Sequence, residues 1–207
     1  MNLNQSIVYS GEISENLFSK IFSFCQKAEV EIKHNASRNM DTRNWHTNTS
    51  SLLYLLMIEK RFAKGLGGLV IVEQNNEIIA CSGFYRSDFN PNVYFIGVRS
   101  WVLKNYRFNL IIAEVCLPAQ IRICTQYGAK VIAISFNEQT RPFVKLIERA
   151  NSTTQTTKFF FGDNYPDIYK EMLSVPFPIK LKGVKQWILF KNLEPYFVNW
   201  DSLKWLE

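Results

Sequence analysis

Between Ser14 and Glu31 the apolar residues Leu17, Phe18, Ile21, Phe22, Cys25 and Ala28 recur at helical spacing. Ser14 precedes them as an N-cap residue type, so a helix is expected over about 14–31. The stretch KHNASRNMDTRNWHTNT that follows is polar and without period, and reads as a long loop. Thr49 or Ser50 can cap a second helix carrying Leu52, Leu53, Leu56, Glu59 and Phe62, with Gly65 as its stop. After Gly67-Gly68 the period changes. LVIVE (69–73), Asn75-Asn76 and EIIACSGFY (77–85) form a hairpin signal. SDFNPN (87–92) is a second turn, and VYFIGVRSWVL (93–103) is a strand rich in β-branched and aromatic residues. A strongly apolar helix is expected over 109–127, closed by Gly128 and kinked or divided by Pro118. KVIAISF (130–136) reads as a buried strand, reached by a parallel crossover. A fourth helix is expected over about 139–150. KFFFG (158–162) and VKQWILF (184–190) then read as a last pair of strands, joined by a long connection with one short helix.

The order α-α-β-β-β-α-β-α-β-β implies an α/β (α+β) fold: a mixed, mostly antiparallel sheet with helices on both faces. No internal repeat and no boundary divides the 207 residues, so a single domain over 1–207 is expected. Composition alters this picture little. Hydrophobic residues make up 47% and charged residues 20%, as in ordinary globular chains. Sixteen Phe and nine Tyr point to a core built from rings, onto which the aromatic tail EPYFVNWDSLKWLE should dock. Trp200 and Trp205 there read as packing or homodimer contacts.

The first residues lack a basic, apolar leader, and no apolar run reaches about 18 residues, so a cytoplasmic protein without a membrane span is expected. In that setting Cys25, Cys81, Cys116 and Cys124 read as reduced core thiols; with His34 and His46 they complete no metal-ligand spacing, so no metal is expected. The formal charge of +6 favours anionic partners, among them a phosphorylated cofactor. It is dispersed, and no groove-reading motif accompanies it, which argues against nucleic acid.

The stretch most informative about function is Val102-Leu103-Lys104-Asn105-Tyr106-Arg107-Phe108-Asn109-Leu110-Ile111-Ile112-Ala113, between the third strand of the meander and the apolar helix. It resembles the signature V-x-P-x-x-R-G-x-G-x-G/A of the GNAT superfamily of N-acetyltransferases, with the Val-to-Arg spacing intact. The resemblance covers about residues 67–150. It implies a GNAT-like fold and an acyl-CoA co-substrate, acetyl-CoA or another acyl-CoA. It implies transfer of the acyl group, acetyl in the first instance, to a small-molecule or peptide amine by direct attack in a ternary complex. Trp101, Val102, Leu103, Arg107, Phe108, Asn109, Leu110, Ile111, Ile112 and Asn137 would then line the cofactor site. Free N–H groups at a helix start can hold a diphosphate, and pantetheine would pair with a strand edge left free beside a splayed neighbour.

The chain departs from that pattern in three ways. Leu110 and Ile112 stand where glycine is usual, and Lys104 where proline is common. The Asn expected after the next strand is Asn137, or Thr140 if the turn is of usual length. The Tyr expected seven residues later as general acid is then Val144 or Ile147. His46, in the loop that would wall the acceptor site, is a candidate base. Tyr94 is a second catalytic candidate, and Tyr85 a third, each with core packing as its ordinary role. These departures leave a catalytically inactive GNAT-fold binding or assembly module as the alternative.

Overall fold

The computed structural model describes residues 3–36, 60–137, 140–152, 166–181 and 184–205. Among them the elements are β1 (Asn4–Val8), α1 (Glu15–Ala36), β2 (Gly67–Gln74), β3 (Glu77–Arg86), β4 (Val93–Val102), α2 (Leu117–Gln126), β5 (Val131–Asn137), α3 (Arg141–Ser152), α4 (Asp167–Lys170), β6 (Leu173–Ser174), β7 (Ile179–Leu181) and β8 (Val184–Asn192). The eight strands form one sheet in the order β1-β2-β3-β4-β5-β8-β6, with β7 also paired to β8. Every pairing is antiparallel except that of β4 with β5.

The continuous apolar run in β2 follows from its position between two layers. Side chains alternate across a strand. Leu69 and Ile71 face α1, packing with Ile21, Phe24 and Cys25. Val70 and Val72 face the opposite layer, with Leu117 and Ala119 of α2 and Val144 and Ile147 of α3. The same alternation serves β4 and β5. Tyr94, Ile96, Ile132 and Ile134 face α2 and α3, while Val93, Phe95, Val131 and Ala133 meet Val198 and Trp200 of the docked tail. Each such side chain contributes about 1.5–3 kcal/mol when fully buried, so the helices and tail are held chiefly by this two-sided burial.

Local signals act where expected. Leu17 N–H donates to Ser14 Oγ at 3.3 Å, capping α1. Asn75 and Asn76 take left-handed φ values of 51° and 65° at the β2–β3 turn.

Several expectations need correction. β1 was not foreseen: NQSIV is mostly polar, and only Val8 is buried, because the strand lies at the sheet edge. β6 and β7, of two and three residues, are too short to leave a periodic signal. The helix expected over 109–127 is two pieces, a π-helical turn Ile112–Cys116 and α2, and a 3-10 segment Lys104–Asn109 precedes it. Pro118 lies in the first turn of α2. There its missing N–H is harmless, but its ring crowds the carbonyl four residues back, and the chain answers with the wider π turn, in which Leu117 N–H donates to Ile112 O. Lys60–Phe62, at the end of the expected second helix, form a 3-10 turn. The remainder of that helix and the strand expected over 158–162 lie outside the described residues.

Candidate functional site

β4 and β5 pair over only three positions, Val93↔Val131, Tyr94↔Ile132 and Phe95↔Ala133. Beyond them β5 stays paired with β8 as far as Asn137↔Gln186, while β4 stays with β3 as far as Val102↔Ala80. The two strands therefore part after Phe95 and leave one edge of Ile96–Val102 open. At about 3.3 Å per residue this edge is ~20 Å long.

The parting is built into β4 by two register shifts against β3, between Cys81 and Gly83 and between Gly83 and Tyr85. Gly97 (φ 70°) and Arg99 (φ 52°) carry the left-handed backbone that such bulges need. A Cβ on Gly97 would sit 3.3 Å from Leu117 Cδ2 and 3.6 Å from Ile134 Cγ2, so α2 and β5 close in just where the gap begins.

At the far end of this edge, Leu103 N–H donates to Ile79 O at 2.9 Å, continuing the β3–β4 ladder. Of Trp101, Val102 and Leu103, which the resemblance puts at the cofactor site, Leu103 thus has its amide committed to β3. The alternation of an antiparallel ladder turns the neighbouring Val102 N–H toward the open edge. The chain then winds through Lys104–Asn109 to Leu110, whose φ of 47° and ψ of 26° are left-handed. Leu110 stands where glycine is usual, holds a backbone shape that glycine favours, and leaves its side chain 48% exposed. Ile112 is partly buried against the main core, and Ile111 is buried. Leu110 O accepts Glu114 N–H at 2.9 Å. Helix geometry leaves the N–H groups of Ile111, Ile112 and Ala113 without acceptors in the preceding turn. They sit at the positive end of the helix that continues as α2.

Arg107 stands beside this turn. Its Nε donates to Val102 O at 3.1 Å, its Nη2 donates to Glu31 Oε2 at 2.7 Å, and its guanidinium lies 4.7 Å from the Trp101 ring centroid. Glu31 Oε1 also accepts Lys104 N–H at 2.9 Å. Trp101, Val102, Leu103, Arg107 and the backbone of Phe108–Ile112 are thus gathered along one edge and its terminal turn.

The other expected residues fall elsewhere. Asn137 ends β5, and its carbonyl accepts Thr140 Oγ1 at 2.7 Å at the start of α3. Val144 and Ile147 are buried in the core. Tyr94 lies in the paired part of β4, buried, with its hydroxyl donating to Gly65 O at 2.7 Å; burial raises its pKa. Tyr85 stacks on Phe95 at 5.6 Å and lies under the Arg61 guanidinium. His46 is outside the described residues. The four cysteines are buried and free. Among the described residues no three metal-ligating side chains cluster, and no helix is long and apolar enough to cross a membrane. A cavity of about 300 Å³ lies at the other end of the sheet, lined by Lys60, Arg61, Arg86 and Asp88 among others.

Sequence reasoning missed Gln120. It sits on α2, wholly buried, with both ends of its amide turned into the bulged part of the sheet. A lone Gln in an apolar helical stretch is the signal that could have found it, since a buried amide requires partners.

Sequence comparison finds no match to any family profile or to any curated protein. Solved structures do match. One is the PaiA N-acetyltransferase from Thermoplasma acidophilum in complex with coenzyme A, with a TM-score of 0.58, 9% identity, and coverage of 93% of this chain and 99% of that one. Another is YncA from Salmonella typhimurium with its cofactor acetyl-CoA, with a TM-score of 0.56, 11% identity, and coverage of 94% and 97%. A GNAT-family acetyltransferase from Staphylococcus aureus gives 0.51, 17%, 92% and 100%. The chain has the GNAT fold. Its residues 67–152, from β2 through α3, hold the parted strands, the bulged β4 and the turn into α2.

Proposed function

We propose that this chain transfers an acyl group, acetyl in the first instance, from acyl-CoA to an amine. The observation that carries the reading is the parting of β4 from β5 after three rungs, with a left-handed Leu110 leading into a helix at the far end of the open edge. The residues fit the donor. Leu110 leaves its side chain about half exposed, and Ile112 is partly buried against the core. The amides of Ile111, Ile112 and Ala113, with Arg107, would hold the diphosphate. The open edge of Ile96–Val102 would hold pantetheine as an added strand. Acyl-CoA would supply an activated thioester. The chain's own contribution is to orient the thioester against the amine and to aim edge amides such as that of Val102 at its carbonyl oxygen. With valine and isoleucine at 144 and 147, the departing thiolate would take its proton from water or from another residue. The acceptor would be a small molecule or a peptide amine.

Glu31 favours a second reading, a GNAT-fold module without catalysis. Its carboxylate already accepts the Arg107 guanidinium, which an anionic donor would use, and Lys104 N–H beside it. Calorimetric titration with acetyl-CoA separates the two. Saturable binding supports the transferase; no heat at millimolar acetyl-CoA and millimolar CoA supports the inactive module.

A further inference from the structure

Inserting two extra residues into β4 removes ladder partners from the peptide groups at the bulge, which lie half-buried against α2. Gly97 bears most of this, and both of its peptide groups are met by side chains. Gly97 N–H donates to Gln120 Oε1 at 2.9 Å. Ser100 Oγ donates to Gly97 O at 2.8 Å. Gln120 Nε2 reaches Ser82 O at 2.7 Å, Ser82 Oγ at 2.9 Å and Gly83 O at 3.0 Å. Ser82 Oγ and Ser100 Oγ are 2.7 Å apart. Because Ser100 gives its single hydroxyl proton to Gly97 O, Ser82 must donate to Ser100. The donors then run in one direction around a closed ring: Gly97 N–H to Gln120, Gln120 to Ser82, Ser82 to Ser100, and Ser100 back to Gly97 O. The ring also fixes the amide orientation. Flipped, Gln120 would set its NH₂ against the Gly97 N–H and its oxygen against two carbonyls.

Gln120 and Ser82 are 0% exposed. The links from Gln120 to Ser82 and Gly83 are buried and the other links are part-buried. Such a closed ring has few alternative arrangements, and removing Gln120 leaves buried groups unsatisfied, at about 1–3 kcal/mol. The ring belongs to the first residues after β4 leaves β5, where the open edge begins. Its shape therefore sets the direction in which the following edge amides point.

We infer that Gln120, with Ser82 and Ser100, is a positioning element for acyl transfer: it fixes the bulge of β4 so that the open-edge amides face the thioester carbonyl, while the diphosphate is held independently at the turn after β4. This rests on the transferase reading above. The ring touches no reacting atom, so its removal should affect the carbonyl and leave the diphosphate grip intact.

The test uses acetyl-CoA labelled with carbon-13 at the thioester carbonyl, and unlabelled CoA. In the unaltered chain the bound carbonyl resonance should move downfield from that of free acetyl-CoA. In Gln120→Met, and in the milder Ser100→Ala should the former not fold, this shift should be lost, while the Kd for CoA stays within about threefold, a change of under ~0.7 kcal/mol. Ser100→Thr, which keeps the hydroxyl, should restore the shift. A full shift in folded Gln120→Met or Ser100→Ala, or a Kd for CoA that weakens tenfold or more in them, overturns the inference. If the unaltered chain binds neither CoA nor acetyl-CoA, the transferase reading itself fails. Amide exchange then judges the clamp separately. Accelerated exchange confined to Gly97–Val102 in Ser100→Ala supports a ring that sets the bulge; no change there, or acceleration spread evenly over the sheet, refutes it.

Discussion

The Arg107 guanidinium donates to the Glu31 carboxylate at 2.7 Å, joining the turn after β4 to helix α1. The pair is partly exposed, with side-chain exposures of 36% and 22%, so its share in stability is small. Its effect on an incoming anion should be larger. The carboxylate neutralises the one arginine at the turn and occupies Lys104 N–H as well. A diphosphate must displace or share these contacts.

Glu31→Gln keeps an oxygen for Lys104 N–H and removes the charge. Affinity for CoA should therefore rise by about two- to fivefold, the scale of one exposed ion pair, and the rise should shrink as salt is added. Calorimetric titration at low and high ionic strength measures both. Unchanged or weaker binding would show that Glu31 orients Arg107 for the ligand rather than competing with it.

Tyr94 tests the reading of its own hydroxyl. That group is buried and donates to Gly65 O at 2.7 Å, in the paired part of β4 rather than on the open edge. Tyr94→Phe should cost about 1 kcal/mol through the lost hydrogen bond, or roughly 2–4 °C in Tm for a chain of this size. Acyl transfer, once an acceptor is in hand, should change less than about twofold. A hundredfold fall in kcat would return Tyr94 to the catalytic candidates.

Much of the sheet was legible because its signals are local. Leu69–Val72 alternate between two buried faces, Asn75-Asn76 make a tight turn, and Val131–Ile134 form an apolar run. The V-to-R spacing from Val102 to Arg107 located the turn that ends the open edge. What was not legible depends on contacts distant in sequence. NQSIV becomes β1 only because Leu69–Glu73 offer an edge to pair with. The bulge at Gly97 is met by a side chain from α2, and neither Gln120 nor Ser100 announces this alone. Glu31 meets Arg107 across 76 residues, which no pattern within α1 foretells. The choice of Leu110 for a left-handed position runs against propensity, so the loop's shape had to be seen rather than inferred.

The buried thiols make stability depend on pH in a definite direction. Burial pushes Cys25 and Cys116 up to about 12 and raises Cys81 and Cys124 as well. In the unfolded chain thiols titrate near 8.5. Between about 8.5 and 12 the folded state therefore holds protons that the unfolded chain has released. A group of this kind stabilises fully below its unfolded pKa, and its contribution falls as pH rises toward the folded value. Urea melts should show little thiol-dependent change from pH 7 to 8 and a progressive fall above pH 9. Replacing Cys116 with Ala, at some cost in packing, should flatten that fall. A thiol reagent at pH 8 should react with the native protein far more slowly than with the urea-unfolded chain. Rapid labelling of Cys81, Cys116 or Cys124 in the native protein would contradict their burial.

Two adjacent glycines in β2 separate a backbone constraint from a side-chain one. A Cβ on Gly67 would lie 2.1 Å from Arg61 O and 2.5 Å from Phe84 O, both main-chain atoms held by the sheet and the preceding turn. A Cβ on Gly68 would meet ring atoms of Phe84 and Tyr9 at 3.1 Å, and rings can shift by a few tenths of an ångström. Gly67→Ala must therefore push β2 away from β3 or unmake the turn at Lys60–Phe62. It should cost more than about 4 kcal/mol, in the range of changes that abolish folding in marginal proteins. Gly68→Ala should cost about 1–3 kcal/mol, as overpacking does. Urea denaturation of the two variants, with soluble yield as a second measure, checks the order. Equal losses would mean that the approach of Arg61 and Phe84 to β2 is looser than the strand pairing requires, and that the sheet yields at Gly67 as readily as the rings do at Gly68.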